Sequence, residues 1–212
     1  MRSADAYGDL LRLGRPIIEA REAATRLGLS LKRTTLLLRS LEQAGLVLRL
    51  RPSLWALRPD PDPFSVPPYL TAPLPAYVSV WSALARHGMI EQIPRTVSVV
   101  STDRTRRVVT TLAIYEIHHL VPELFDGFTG SQEGGYLASP EKALFDTIYL
   151  RAPAGGVHLP ELELPPVFDE DKLHEWLGRV ARPRLRTLVA RGLDAALAQA
   201  SRRAQPKPKF LS

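Results

Sequence analysis

"SLKRTTLLLRSLEQAGLVLRLR", residues 30–51, decides the fold, because it joins an amphipathic helix to an alternating strand. At about 100° per residue, Thr34, Leu37, Leu38, Leu41 and Ala44 share one side of a helix over 31–44. Lys32, Thr35, Arg39 and Gln43 share the opposite side, joined by Leu36. Ser30 is suited to cap the first turn and Gly45 to stop the last. Beyond the glycine, Leu46, Leu48 and Leu50 alternate with Val47, Arg49 and Arg51. Pro52-Ser53 then turns the chain and LWAL (54–57) returns, the pattern of a hairpin.

Working outward, two further helices are predicted upstream, over 4–13 before Gly14 and Pro16, and over 19–27 before Gly28. Helix, helix, turn, helix and hairpin is the order of a winged helix-turn-helix, assigned to residues 1–58. In that fold the third helix enters the major groove of duplex DNA, making Ser30, Lys32, Arg33, Thr35, Arg39 and Gln43 candidate DNA-binding residues. Arg49 and Arg51 on the hairpin are placed to meet backbone phosphates. A polar solvent face on a protein-docking domain is the plainer alternative. RNA is disfavoured, because the segment lacks an aromatic stacking platform.

Charge supports a polyanion partner. The net charge is +6, but residues 1–58 carry 11 Lys/Arg against 5 Asp/Glu, residues 59–150 carry 6 against 10, and residues 151–212 carry 11 against 7. A basic first module beside an acidic middle is the asymmetry expected of a nucleic-acid-binding chain. With no cysteine, disulfides and thiolate metal sites are excluded. The first residues lack the basic-then-apolar order of a signal peptide, and no apolar run approaches about 20 residues, so a cytoplasmic protein off the membrane is expected.

Prolines at 59, 61, 63, 67, 68, 73 and 75 predict an extended linker over 59–75. The second domain is assigned to 76–204 and a disordered tail to 205–212. Within that domain YVSVWSALARHGMI (77–90) reads as a helix, 96–101, 106–112 and 113–120 as strands, 138–150 as a helix, and 170–180 and 184–200 as two more. The whole is therefore α+β.

Three blocks, YVSVWSALARHGMIEQIPRTVSVVST (77–102), IHHLVPELFDGF (117–128) and GGYLASPEKALFDTIYL (134–150), resemble the AbiEi-type antitoxins, predicted regulators in viral-defence operons. The resemblance implies a winged helix that represses its own operon at promoter inverted repeats. It also implies a C-terminal domain that counteracts a nucleotidyltransferase-like toxin, by contact or by opposing its effect. It implies neither an enzyme nor a cofactor. A stand-alone transcriptional regulator without a toxin is the alternative within the binding class.

An enzyme is the alternative from another class. Ser139 and Lys142 fit the S-x-x-K pattern of serine–lysine hydrolases, but the companion S-D-N and K-T-G motifs are missing. Ser-Pro-Glu ahead of an apolar helical pattern is instead a helix start, with Ser139 as cap. A nuclease would need Glu141 and Asp146 on one face, and five residues separate them on a helix. Lys142 and Asp146, four apart, are expected to form a weak surface ion pair. In the cluster of Glu116, His118 and His119, Glu116 and His118 share a strand face but a third ligand at sensible spacing is missing, so no metal is assigned. Arg104, Arg106 and Arg107 in TDRTRR (102–107), with Arg182, Arg184 and Arg186 near the last helix, are candidates for a second polyanion or toxin-facing surface.

Overall fold

The computed structural model describes residues 3–154 and 162–204. The first helices are α1 (Ser3–Leu11), α2 (Ala20–Leu27) and α3 (Leu31–Gln43). Alternation after Gly45 yields β2 (Leu48–Arg51) and β3 (Leu54–Ala56). A third strand, β1 (Ile17–Glu19), pairs antiparallel with β3 to give a small sheet of order β1-β3-β2. Its three residues carry too short a pattern to separate from the start of α2, where the sequence suggests helix. Ile18, Trp55 and Leu57 pack with Leu10, Leu38 and Leu41 of the helices.

The opposite face of this small sheet is also buried, and that departs from two domains on a string. Ile17, Leu50, Leu54 and Ala56 share one core with Val78, Val97, Val99, Tyr115 and Ile117. The second set belongs to a six-stranded mixed sheet of order β6-β7-β5-β4-β9-β8. Its strands are β4 (Ala76–Val78), β5 (Val97–Ser101), β6 (Arg106–Val109), β7 (Ile114–His119), β8 (Phe128–Ser131) and β9 (Gly135–Ala138). β5 runs antiparallel to β4 and parallel to β7. The alternate residues Tyr77 and Val100 face a second core beneath α5 (Val80–Arg86), α6 (Pro140–Arg151), α7 (Glu170–Arg179) and α8 (Pro183–Ala204). Among the described residues the chain is thus α+β, with eight α-helices and two sheets.

Two further sequence expectations change. The helix expected over 77–90 begins only at Val80, because Ala76–Val78 pair on both sides as an interior strand. Extended 59–75 instead folds into a 3-10 turn (Pro63–Ser65) and a short helix, α4 (Pro67–Thr71). Each starts with proline, which suits the first helical turn because its missing N–H would be unpaired there anyway. Val66 and Leu70 are buried in the shared core. The Tyr115 hydroxyl donates to the Pro63 carbonyl at 3.1 Å and Arg106 donates to the Leu70 carbonyl at 2.7 Å, so this stretch is pinned at two points. The tail assigned to 205–212 lies outside the described residues.

Candidate nucleic-acid interface

Helix α3 starts where Ser30, in an extended conformation, accepts a hydrogen bond on Oγ from the Arg33 N–H at 3.4 Å. That occupies its hydroxyl oxygen as a cap, the usual role of serine at this position. Thr34, Leu38 and Leu41 are buried and Leu37 half-buried, as the helical period requires, whereas Ala44 is exposed at the end of the helix. On the other side Lys32, Arg39 and Gln43 are exposed with Leu36, 56% exposed, between them, and Arg33 is exposed at the flank of that side. Among the described residues those four polar side chains form no hydrogen bond or ion pair within the chain. Thr35 is less free, since its hydroxyl donates to the Leu31 carbonyl at 2.8 Å. A row of a lysine, an arginine and a glutamine around an exposed leucine, with Arg33 at its flank, supplies donors and one apolar contact along about three helical turns.

The hairpin beside it differs from simple alternation. The register shifts between Arg49 and Arg51, leaving Leu50 without an opposite residue on β3, as at a β-bulge. Arg49 stacks over the buried Trp55 ring with 5.7 Å from its guanidinium to the ring centroid, and its backbone N–H donates to Glu42 of α3 at 3.0 Å. Its charge is therefore partly engaged with the protein. Arg51 is half-buried and makes no side-chain hydrogen bond among the described residues. Trp55 and Glu42 were not legible as members of this site. A third contributor, Thr111, comes from the β6–β7 turn and bonds the β2 backbone at the Arg49 and Leu50 carbonyls.

The remaining candidate arginines differ in how the fold holds them. Arg106 is half-buried, paired with Asp103 and bonded to the Leu70 carbonyl, so it is a fold contact rather than a free cation. Arg104 and Arg107 are exposed. Arg186 is exposed, with its Nε donating to the Val180 carbonyl at 2.9 Å, while Arg182 and Arg184 are exposed at the start of α8.

At α6 the expected surface ion pair is overturned. Lys142 and Asp146 are both fully buried, with Nζ 2.5 Å from Oδ1. Asp146 Oδ2 accepts from the Tyr77 hydroxyl at 2.9 Å and from the Ser79 hydroxyl at 2.7 Å. Lys142 Nζ lies 5.2 Å from the Phe145 ring centroid and 5.3 Å from that of Trp176, distances suited to cation–π attraction. Burial, reinforced by the adjacent Asp146 charge, pushes the Tyr77 phenol well above its usual value and keeps it a donor. Gly127 closes this cage, because a Cβ there would sit 2.5 Å from the Trp176 ring.

Ser139 caps α6, its Oγ accepting from the Lys142 N–H at 3.2 Å and donating to Glu141 Oε2 at 2.7 Å. Burial raises the Glu141 carboxyl, but the bonds from Ser139 and the Asp169 N–H outweigh it and hold the group below its ordinary value. Lys142 Nζ is turned to Asp146, so Ser139 and Lys142 meet only through the backbone amide. Glu116 and His118 fall on the same side of β7, where burial lowers the His118 imidazole, and His119 Nδ1 lies 3.2 Å from the Asp103 carbonyl. Among the described residues no three His, Cys, Asp or Glu side chains gather as metal ligands, and no helix is long and apolar enough to cross a membrane.

Comparison with protein-family models and with curated proteins gives no match to this chain.

Proposed function

We propose that the chain is a DNA-binding antitoxin of the AbiEi type. Residues 1–58 act as a winged helix-turn-helix that binds promoter inverted repeats and represses transcription of its own operon. Residues 76–204 counteract a nucleotidyltransferase-like toxin in the cytoplasm. The observation that carries the DNA half is the outer side of α3, where Lys32, Arg39 and Gln43, flanked by Arg33, are exposed without partners among the described residues. Arginine and lysine suit guanine edges and phosphates, glutamine suits adenine, and exposed Leu36 suits a thymine methyl. The toxin half rests on the three sequence blocks that resemble the antitoxins.

Selection from a pool of randomised duplexes tests the reading. The full chain should enrich a defined sequence, and Arg39→Ala should weaken binding to that duplex by roughly 5- to 150-fold, about 1–3 kcal/mol, while relaxing sequence preference. No enrichment, or equal affinity of the chain for enriched and scrambled duplexes, would refute it. Growth of cells expressing a neighbouring nucleotidyltransferase gene separates antitoxin from lone regulator. The full-length Arg39→Ala chain suits that assay better than a truncate from Ala76, which would uncover the apolar side of the six-stranded sheet.

A further inference from the structure

The two units touch at a place no sequence spacing announces, and it lies on the strand carrying the hairpin arginines. β2 is an edge strand of its sheet, so its outer carbonyls have no strand to pair with. The β6–β7 turn supplies partners instead. Thr111 N–H donates to the Leu50 carbonyl at 3.0 Å, and the Thr111 hydroxyl donates to the Arg49 carbonyl at 2.7 Å. These are the two carbonyls at the bulge between Arg49 and Arg51.

The turn that presents Thr111 is braced from within. Thr110 N–H and Oγ1 both donate to the Ala113 carbonyl, at 3.0 and 2.8 Å, and Thr110 Oγ1 accepts from the Leu112 and Ala113 amides. A bulge bends a strand and re-aims the next side chain, and here that side chain is Arg51. A rigid turn fastened to both carbonyls therefore fixes one aim among those a free bulge allows.

We propose that Thr111 is a positioning residue for DNA binding: by fastening the β2 bulge it holds Arg51 toward the phosphate backbone, so the second unit sets the strength of the first unit's phosphate contact. This rests on the DNA-binding reading above. A chain whose β6–β7 turn is displaced keeps α3 intact but loses the contribution of Arg51, and a partner that moves that turn lowers DNA affinity without touching the DNA side.

The test uses the full chain and a mixed-sequence 30-base-pair duplex, with affinity measured from low to moderate salt. Each phosphate contact adds about 0.9 to the slope of log affinity against log salt. Arg51→Ala should flatten the slope by about that amount, and Thr111→Val, which keeps the side-chain shape without the hydroxyl, should flatten it by a comparable amount. Thr111→Ser should restore the wild-type slope, and adding Thr111→Val to Arg51→Ala should change the slope no further. A purely structural Thr111 would lower the melting temperature and leave the slope alone. A flattened slope in Arg51→Ala with an unchanged slope in Thr111→Val would overturn this proposal and spare the DNA-binding reading. An unchanged slope in Arg51→Ala would remove the hairpin from the interface and end the proposal with it, while absence of duplex binding by the wild type would end both.

Discussion

Helices α3 and α6 look alike in sequence and behave oppositely in the fold. Each starts at a serine cap, each carries a lysine within its first three residues, and each mixes leucine with charge. Yet Lys32 of α3 is exposed without a partner among the described residues, whereas Lys142 of α6 is fully buried against Asp146. The difference lies in what surrounds them. α3 packs on one side, against α1, α2 and the small sheet. α6 lies over the six-stranded sheet and is covered by α5, α7 and α8, so even Glu141 and Asp146 are excluded from water. Charge on the first helix is available to a partner; charge on the second is spent within the fold.

That contrast breaks or sharpens by mutation, and the largest effect belongs to the buried pair. Asp146→Ala strands the Lys142 ammonium in an aromatic cage and leaves the Tyr77 and Ser79 hydroxyls without their acceptor. It should cost about 3–5 kcal/mol in urea unfolding, the range for removing one partner of a buried pair. A loss below about 1 kcal/mol would mean that water reaches the site and that α6 resembles α3 after all.

Arg39→Ala should show the opposite signature. Alongside the loss of DNA affinity stated above, its unfolding free energy should stay within about 0.5 kcal/mol of wild type, as for a surface substitution without partners. A large stability loss would place Arg39 in the fold rather than at an interface.

The smallest expected effect is at the α6 cap. Ser139→Ala should cost about 1 kcal/mol near neutral pH by thermal or urea unfolding. Because the Glu141 carboxyl is held below its ordinary value in the folded state, its contribution is present above the unfolded pKa and fades as pH falls through the folded one. Ser139 supplies one of the bonds holding it there, so the gap between variant and wild type should narrow as pH drops from 6 toward 3. A gap that widens on acidification would contradict that role. A hydrolytic activity of the wild-type chain that disappears in Ser139→Ala would revive the enzyme alternative.

Much of the first unit was legible because its signals are local. Gly28 ends α2 in a left-handed conformation at φ 63°, Ser30 caps α3, and Pro52-Ser53 turns the hairpin. Each needs only a few neighbouring residues. The buried face of α3 followed from helical period, and so did the exposure of Lys32, Arg39 and Gln43 opposite it. Trp55 beneath Arg49 and Thr111 on the β2 backbone depend on pairing and contact across the chain, and no pattern around those residues reports them. The proline-rich stretch departs from its sequence expectation for a related reason: prolines favour an extended chain unless they fall at first turns, and Val66 and Leu70 are drawn inward by a core assembled from both units.

By itself the amino-acid order determined where helices start and stop, which side of α3 is apolar, and that positive charge gathers at the two ends of the chain. Those properties arise from neighbours within a few turns. Only the tertiary structure decided that Lys142 and Asp146 are interior, that Arg106 is tied to α4, and that the two units share a core through which Thr111 reaches β2. Burial and long-range pairing depend on what lies above a residue in space, and a one-dimensional pattern of lysine, aspartate and leucine is the same whether the covering layer is water or another helix.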